Sequence, residues 1–115
     1  MNENMIYILI LFIAYFAYRK YMQYKVLKLV PDLLKKGGLI IDVRTEDEFN
    51  FAHKDGSINI PLNKLNSNTD KLDKTKPIIV CCASGSRSGI AKHTLKAQGF
   101  KDVHNAGTWR ALRKF

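Results

Sequence analysis

The stretch VCCASGSRSGIAKH, Val80 to His93, gathers the residues best suited to chemistry. An apolar run ends in Cys81 and Cys82. The small residues Ala83, Ser84, Gly85 and Ser86 follow, and Arg87 and Ser88 open what reads as a helix. A thiol at the carboxyl end of a buried strand lies in the crevice where open α/β sheets hold their ligands. Gly85 permits a left-handed or close-approach backbone. The start of the helix projects free N–H groups and a partial positive charge, so the loop makes a nest for an anion. Cys82 is therefore expected to be rich in thiolate near neutral pH, with Arg87 adding a fixed positive charge. Strand alternation turns Cys81 to the opposite face, where it reads as packing. The same residues also fit two buried cysteines beside an ordinary glycine turn.

These two cysteines are the only ones in the chain, so there is no disulfide framework. Adjacent cysteines on a strand cannot bridge without distortion, which disfavours a thiol sensor. His53, His93 and His104 lie far apart and form no group with metal-ligand spacing, so neither a metal nor a cofactor is expected. The net charge of +9 raises the question of nucleic acid. Five of those nine charges come from the segment Arg19 to Lys36, which holds six basic residues and one acid. No basic stripe interleaved with aromatics and no nucleic-acid motif is present, so nucleic-acid binding is not expected.

The basic segment follows MIYILILFIAYFAY, Met5 to Tyr18, which is apolar on every face. Its 14 residues fall short of the roughly 20 that span a bilayer, but Arg19 and Lys20 can snorkel and the neighbouring tyrosines suit the interface. A cleaved signal peptide would carry a basic start and an A-x-A-like site. Here MNEN holds only the acid Glu3, and Ala14 and Ala17 are wrongly spaced. The reading is an uncleaved single-pass anchor over residues 1–24, with a basic collar facing anionic head groups. Basic residues follow the apolar run and none precede it, which places the N-terminus outside and the rest of the chain, 25–115, in the cytoplasm.

The elements that must position the cysteine loop follow in order. KVLKLVPDLLKKGG reads as a linker and short helix ended by Gly37-Gly38. LIIDV (39–43) reads as a buried strand, and TEDEFNFAH as a brief helix with Thr45 and Glu48 forming a capping box. SINI (57–60) is a second short strand, and the polar 63–76 carries at most one short helix. PIIVCC (77–82) is a third strand. SGIAKHTLKAQ (88–98) is a helix with Ile90, Ala91, Leu95 and Ala97 inward. KDVHNAG is a last strand and WRALRKF a terminal helical turn. Alternating strands and helices predict an α/β domain with a small, largely parallel sheet flanked by helices, preceded by one hydrophobic helix.

Two stretches resemble the signatures of the rhodanese family. LIIDVRTEDEFNFAHKDGSINIPL is similar to the first: apolar-Asp-x-Arg, Glu-aromatic, then a Gly-His segment ending in Asn-Ile-Pro. IIVCCASGSRSGIAKHTLKAQGFKDVHNAGTW is similar to the second: strand, Cys-x-x-Gly-x-Arg-Ser, helix, Gly-Phe, then an Asn and Gly turn. The resemblance runs from about Val30 to the end. It implies a rhodanese-like fold, with Cys82 as the sulfur-accepting nucleophile and Ala83 to Arg87 as the active loop; Cys82 and Arg87 are the expected catalytic residues, and Ala83, Ser84, Gly85, Ser86 and Ser88 the expected substrate-binding loop. Asp42, Arg44 and Glu48 match the family's supporting positions, and His53 matches the histidine of the Gly-His motif. Ala52 in place of Gly, Lys54 in place of Ile and the shorter NAGTW depart from the pattern at the rim of the pocket.

The implied activity is sulfurtransfer: a donor such as thiosulfate or a persulfide gives its outer sulfur to Cys82, and a thiol or cyanide acceptor removes it. Two alternatives stand beside this reading. One is a membrane-anchored, non-catalytic binding module, against which the presence of Cys82 counts. The other is a cysteine phosphatase or arsenate reductase. Those phosphatases place five residues between Cys and Arg, where this chain has four.

Overall fold

The computed structural model describes residues 2–115. A 33-residue helix, α1 (Glu3–Lys35), is capped by the Asn2 side chain, which accepts from the Met5 amide at 2.9 Å. Four strands follow: β1 (Leu39–Asp42), β2 (Ile58–Asn59), β3 (Ile78–Cys82) and β4 (Val103–Thr108). They form one parallel sheet in the order β2-β1-β3-β4. Helix α2 (Glu46–Phe51) lies between β1 and β2, and α3 (Ser86–Ala97) between β3 and β4. Short 3-10 turns occupy Leu62–Lys64 and Trp109–Leu112.

The period of two along the strands builds two cores. Ile41, Ile78, Val80 and Cys82 pack on one side with Ala91, Leu95 and Phe100. Ile40, Ile79 and Cys81 pack on the other with Val30 and Leu33 of α1 and with Trp109 and Leu112. The predicted capping box at the start of α2 is present: Thr45 Oγ1 accepts from the Glu48 amide, and Glu48 accepts from the Thr45 amide.

Three expectations differ from the structure. No linker separates the apolar N-terminus from the domain, because α1 runs unbroken through Pro31. Proline removes one helical hydrogen bond, yet Val30 and Leu33 on either side of it are buried against the sheet. Their side chains extend the i, i+3, i+4 stripe of Val26, Leu27 and Leu34, so tertiary packing holds the helix together. Ile90 points outward and is 57% exposed, and Ala97 is exposed too. The buried stripe of α3 is Ser88, Ala91 and Leu95, and Ile90 lies about 100° around the helix from Ala91. The second strand shrinks to two residues, Ile58–Asn59.

By length and composition α1 is long and apolar enough to cross a membrane, and its apolar window has no residue buried inside the protein.

Candidate active site

Cys82 ends β3, and α3 begins four residues later at Ser86. The loop turns through Gly85, whose φ is +101°, a conformation that a side chain strains. A Cβ there would also meet Gly107 Cα at 3.2 Å and Arg19 Nη2 at 3.0 Å. The turn brings the Gly85 N–H to donate to Cys82 Sγ at 2.9 Å. Ser88 Oγ lies 3.4 Å from the same sulfur.

The thiol is only 1% exposed. Burial raises its pKa, but contacts from the Ser88 hydroxyl and the amides of Ser88, Ser84 and Gly85 outweigh that and hold it below the ordinary cysteine value. Cys81 is equally buried and has no such donors; desolvation, then the neighbouring Asp42 carboxylate, push its thiol far up. The two thiols thus differ in the direction of their shift, and the difference lies in hydrogen bonding.

Ser88 has one hydroxyl proton and two acceptors for it. It donates to Asn105 Oδ1 at 2.6 Å while Cys82 is a thiol, and can turn toward the sulfur when Cys82 ionises. Asn105 is fixed for this role, since its Nδ2 donates to Gly85 O at 3.1 Å and its Oδ1 also accepts from Gly107 N at 2.9 Å. A bulge in β4 sets that geometry: Val80 pairs with Asn105 but Cys81 pairs with Gly107, leaving Ala106 over. Gly107 has φ +82°, and a Cβ on it would meet Gln23 Nε2 at 2.7 Å. Asn105 was not among the residues expected to act; only its place in the Asn and Gly turn pointed to it.

The other expected site residues form a brace beside the loop. Asp42 is fully buried and paired with Arg44 at 2.8 Å. Arg44 also donates to Ala52 O at 2.8 Å and lies 4.6 Å over the Trp109 ring. Glu48 takes both Arg87 nitrogens, at 2.7 and 3.0 Å. The Arg87 hydrogen bonds hold the Glu48 carboxyl down at about 2, and Glu48 in turn raises Arg87. Arg87 therefore faces α2, and among the described residues no hydrogen bond joins it to Cys82. His53 is exposed, stacks on Phe49 at 3.8 Å and meets Phe49 O at 2.7 Å, and among the described residues no hydrogen bond joins it to Cys82.

An open depression of about 580 Å³ lies beside the loop, with Ala83, Glu48, Trp109, Arg110 and Arg113 in its lining. Arg110 and Arg113 flank the Trp109 ring at 5.1 and 5.0 Å, and neither makes an ion pair among the described residues. No motif in the sequence points to these arginines. They come from the terminal turn, and nothing in their local spacing marks them as part of a site.

Metal-ligand clusters are absent among the described residues.

Residues 26–109 match the family model described as Rhodanese-like domain. Thiosulfate sulfurtransferase GlpE of Coxiella burnetii is 35% identical over 86 residues, 70% of this chain and 79% of that protein. The Bacillus subtilis protein YrkF is 41% identical over 66 residues, 57% of this chain but only 36% of its own length, so this chain spans about a third of it. A solved rhodanese with anions from E. coli superposes with a TM-score of 0.60 at 36% identity, covering 64% of this chain and 89% of that one.

Proposed function

The chain belongs to the rhodanese-like sulfurtransferase family, and from that premise we propose that it moves sulfane sulfur from an anionic donor such as thiosulfate to a thiophilic acceptor through a persulfide on Cys82. The observation that carries this reading is the Gly85 N–H donating to Cys82 Sγ at 2.9 Å at the head of α3.

The Cys82 thiolate attacks the outer sulfur of thiosulfate. A new S–S bond forms, the old one breaks, and sulfite leaves with its electron pair. The persulfide then carries its negative charge on the outer sulfur, beside the loop amides and the positive end of α3. A thiolate or cyanide attacks that sulfur, takes it as a persulfide or thiocyanate, and returns the Cys82 thiolate. Electrons balance without an outside oxidant, and the two half-reactions give ping-pong kinetics.

Arg110 and Arg113 supply the charge that meets the donor, since Arg87 is held by Glu48. Arg87 and Glu48 act as positioning residues, tying α2 to the loop. Asp42 and Arg44 hold the wall of the depression.

Residues 1–24 serve as a membrane anchor and 25–115 as the cytoplasmic catalytic domain, a division that falls inside α1. Support comes from the apolar helix and the one-sided basic collar. Protease added to intact cells is expected to leave the domain uncut; digestion from outside reverses the topology.

The test of the chemistry uses the full chain, because Arg19 and Gln23 on the anchor side reach the domain. Incubation with thiosulfate is expected to add the mass of one sulfur atom to the intact chain, and cyanide to remove it. A chain that gains no sulfur, or gains it equally after Cys82→Ala, overturns the mechanism.

A further inference from the structure

A second cleft, of about 630 Å³, opens on the other flank of the active loop, between α1 and α3. One wall is α1 from Phe16 to Val26, the other is Gly89, Lys92 and Lys96 of α3, and Ser84 and Gly85 lie between them. Arg19, Lys20, Lys92 and Lys96 all line it, and no Asp or Glu does. None of the four makes an ion pair among the described residues. Like charges around one concave space raise a local positive potential that an anion relieves.

The depth of this cleft along α1 identifies the anion. The apolar run ends at Tyr18, and Phe16 and Tyr18 are themselves part of the lining. Aromatic residues followed by basic ones mark the head-group level of a bilayer. At that level the anion present at high density is a lipid phosphate, and Arg and Lys are its natural partners. Met22 and Val26 add apolar surface beside the charges, matching a ligand that is charged at one end and greasy at the other.

The cleft is also joined to the catalytic loop. Arg19 Nη2 donates to Ser84 O at 3.1 Å, and its guanidinium lies 5.9 Å from the Tyr15 ring centroid. Gln23 Nε2 donates to Ala106 O, in the β4 bulge, at 2.9 Å. The same turns of helix thus meet the membrane surface and the back of the active loop.

We propose that the cleft between α1 and α3 is a seat for the head group of an anionic phospholipid, holding the active loop against the membrane surface. This rests on α1 being the anchor, and two separate measurements distinguish them. First, the full chain is mixed with vesicles of phosphatidylcholine alone and floated. Failure to float removes the anchor and the seat together. Second, the chain is reconstituted with phosphatidylcholine and phosphatidylglycerol, extracted in mild detergent, and weighed by native mass spectrometry for retained lipid. Wild type is expected to retain phosphatidylglycerol at least about tenfold over phosphatidylcholine, the effect of a charge or two at the membrane surface. Lys92→Glu with Lys96→Glu is expected to lose that preference. Lys71→Glu with Lys101→Glu, exposed and outside the cleft, is expected to keep it. If the first pair fails to insert, exposed Lys96→Glu alone is expected to weaken the preference. Equal retention of both lipids by wild type, an undiminished preference in the α3 variants, or equal loss in both pairs overturns the seat. Binding of soluble glycerol phosphate as tightly as the lipid also overturns it.

Discussion

Cys81 and Cys82 are neighbours on β3, yet they sit in different cores, one facing α1 and the Trp109 turn, the other facing α3. Exposure does not separate them, at 0% and 1%. What separates them is the supply of hydrogen-bond donors. The α1 face offers Cys81 apolar side chains and the nearby Asp42 carboxylate, and its thiol is pushed up. The α3 face offers Cys82 the amides of a left-handed turn and the Ser88 hydroxyl, and its thiol is drawn down. A buried cysteine keeps a lowered thiol here because the backbone curls around it, not because water reaches it, and that is the property the proposed nucleophile needs.

The strongest break of this comparison is to delete each sulfur in turn. Cys82→Ala is expected to lower thiosulfate-to-cyanide transfer by about 10³-fold or more, as removal of a nucleophile does. Cys81→Ala is expected to keep the rate within about twofold and to cost about 1–2 kcal/mol of stability through the small cavity it leaves. Steady-state rates and urea midpoints of the two variants check this, and the reverse pattern exchanges the roles of the two faces.

The next largest effect tests where the donor's charge is met. Arg110→Ala with Arg113→Ala is expected to raise KM for thiosulfate about tenfold, with kcat little changed and an uncharged persulfide donor unaffected. Arg87→Ala is expected to slow both donors alike, since Arg87 holds Glu48 rather than the substrate. Equal sensitivity of the two donors to loss of Arg110 and Arg113 rules out their recognition role.

A smaller effect sharpens the chemistry around Cys82. Thiolate is the reactive form, so the rising limb of rate against pH is expected below the ordinary cysteine value of 9.0, in line with the lowered thiol. Ser88→Ala removes the largest lowering contact, so the limb moves toward alkali. The rate then falls a few-fold at neutral pH and recovers at high pH. Alkylation rates across pH check it without substrate. Loss of rate by the same factor at every pH makes Ser88 merely structural.

The smallest effect belongs to Cys81 and appears in stability alone. Its folded thiol is raised, so the native state keeps a proton that the unfolded chain loses above its ordinary cysteine pKa. The contribution is fully present below that pKa and is lost as pH rises above it. With the ordinary value of 9.0 for the unfolded thiol, the loss from pH 8 to pH 9 is about 0.4 kcal/mol. Cys82, with a lowered thiol, slopes the other way, so the comparison is made in a Cys82→Ala background. There, Cys81→Ala is expected to flatten the alkaline decline in urea midpoint.

Much of this site was legible in one dimension, because its logic is local. Alternation along a strand assigns Cys81 and Cys82 to opposite faces without any knowledge of what covers those faces. The spacing of Thr45 and Glu48 closes a capping box within one turn. Gly85, placed between a strand and a helix, marks the turn that lends its amide to the sulfur. Periodicity went less far. It identified α3 as a helix but turned Ile90 inward, whereas β3 and β4 bury the stripe of Ser88, Ala91 and Leu95 instead. Composition found the apolar N-terminus and the basic collar, but only the docking of Val30 and Leu33 on the sheet makes them parts of one helix. Arg19 reaches Ser84 across 65 positions of sequence and Gln23 reaches Ala106 across 83. Arg87 carries charge in either view, but Glu48, 39 positions away, determines which way that charge faces. Arg110, Arg113 and Asn105 enter the site through a bulge and a terminal turn whose direction no spacing rule encodes. Short-range chemistry fixes conformation within a turn or a strand, and is therefore written in neighbouring residues. Which long side chains converge on a sulfur depends on how separate elements pack, and that is settled only when the two cores close.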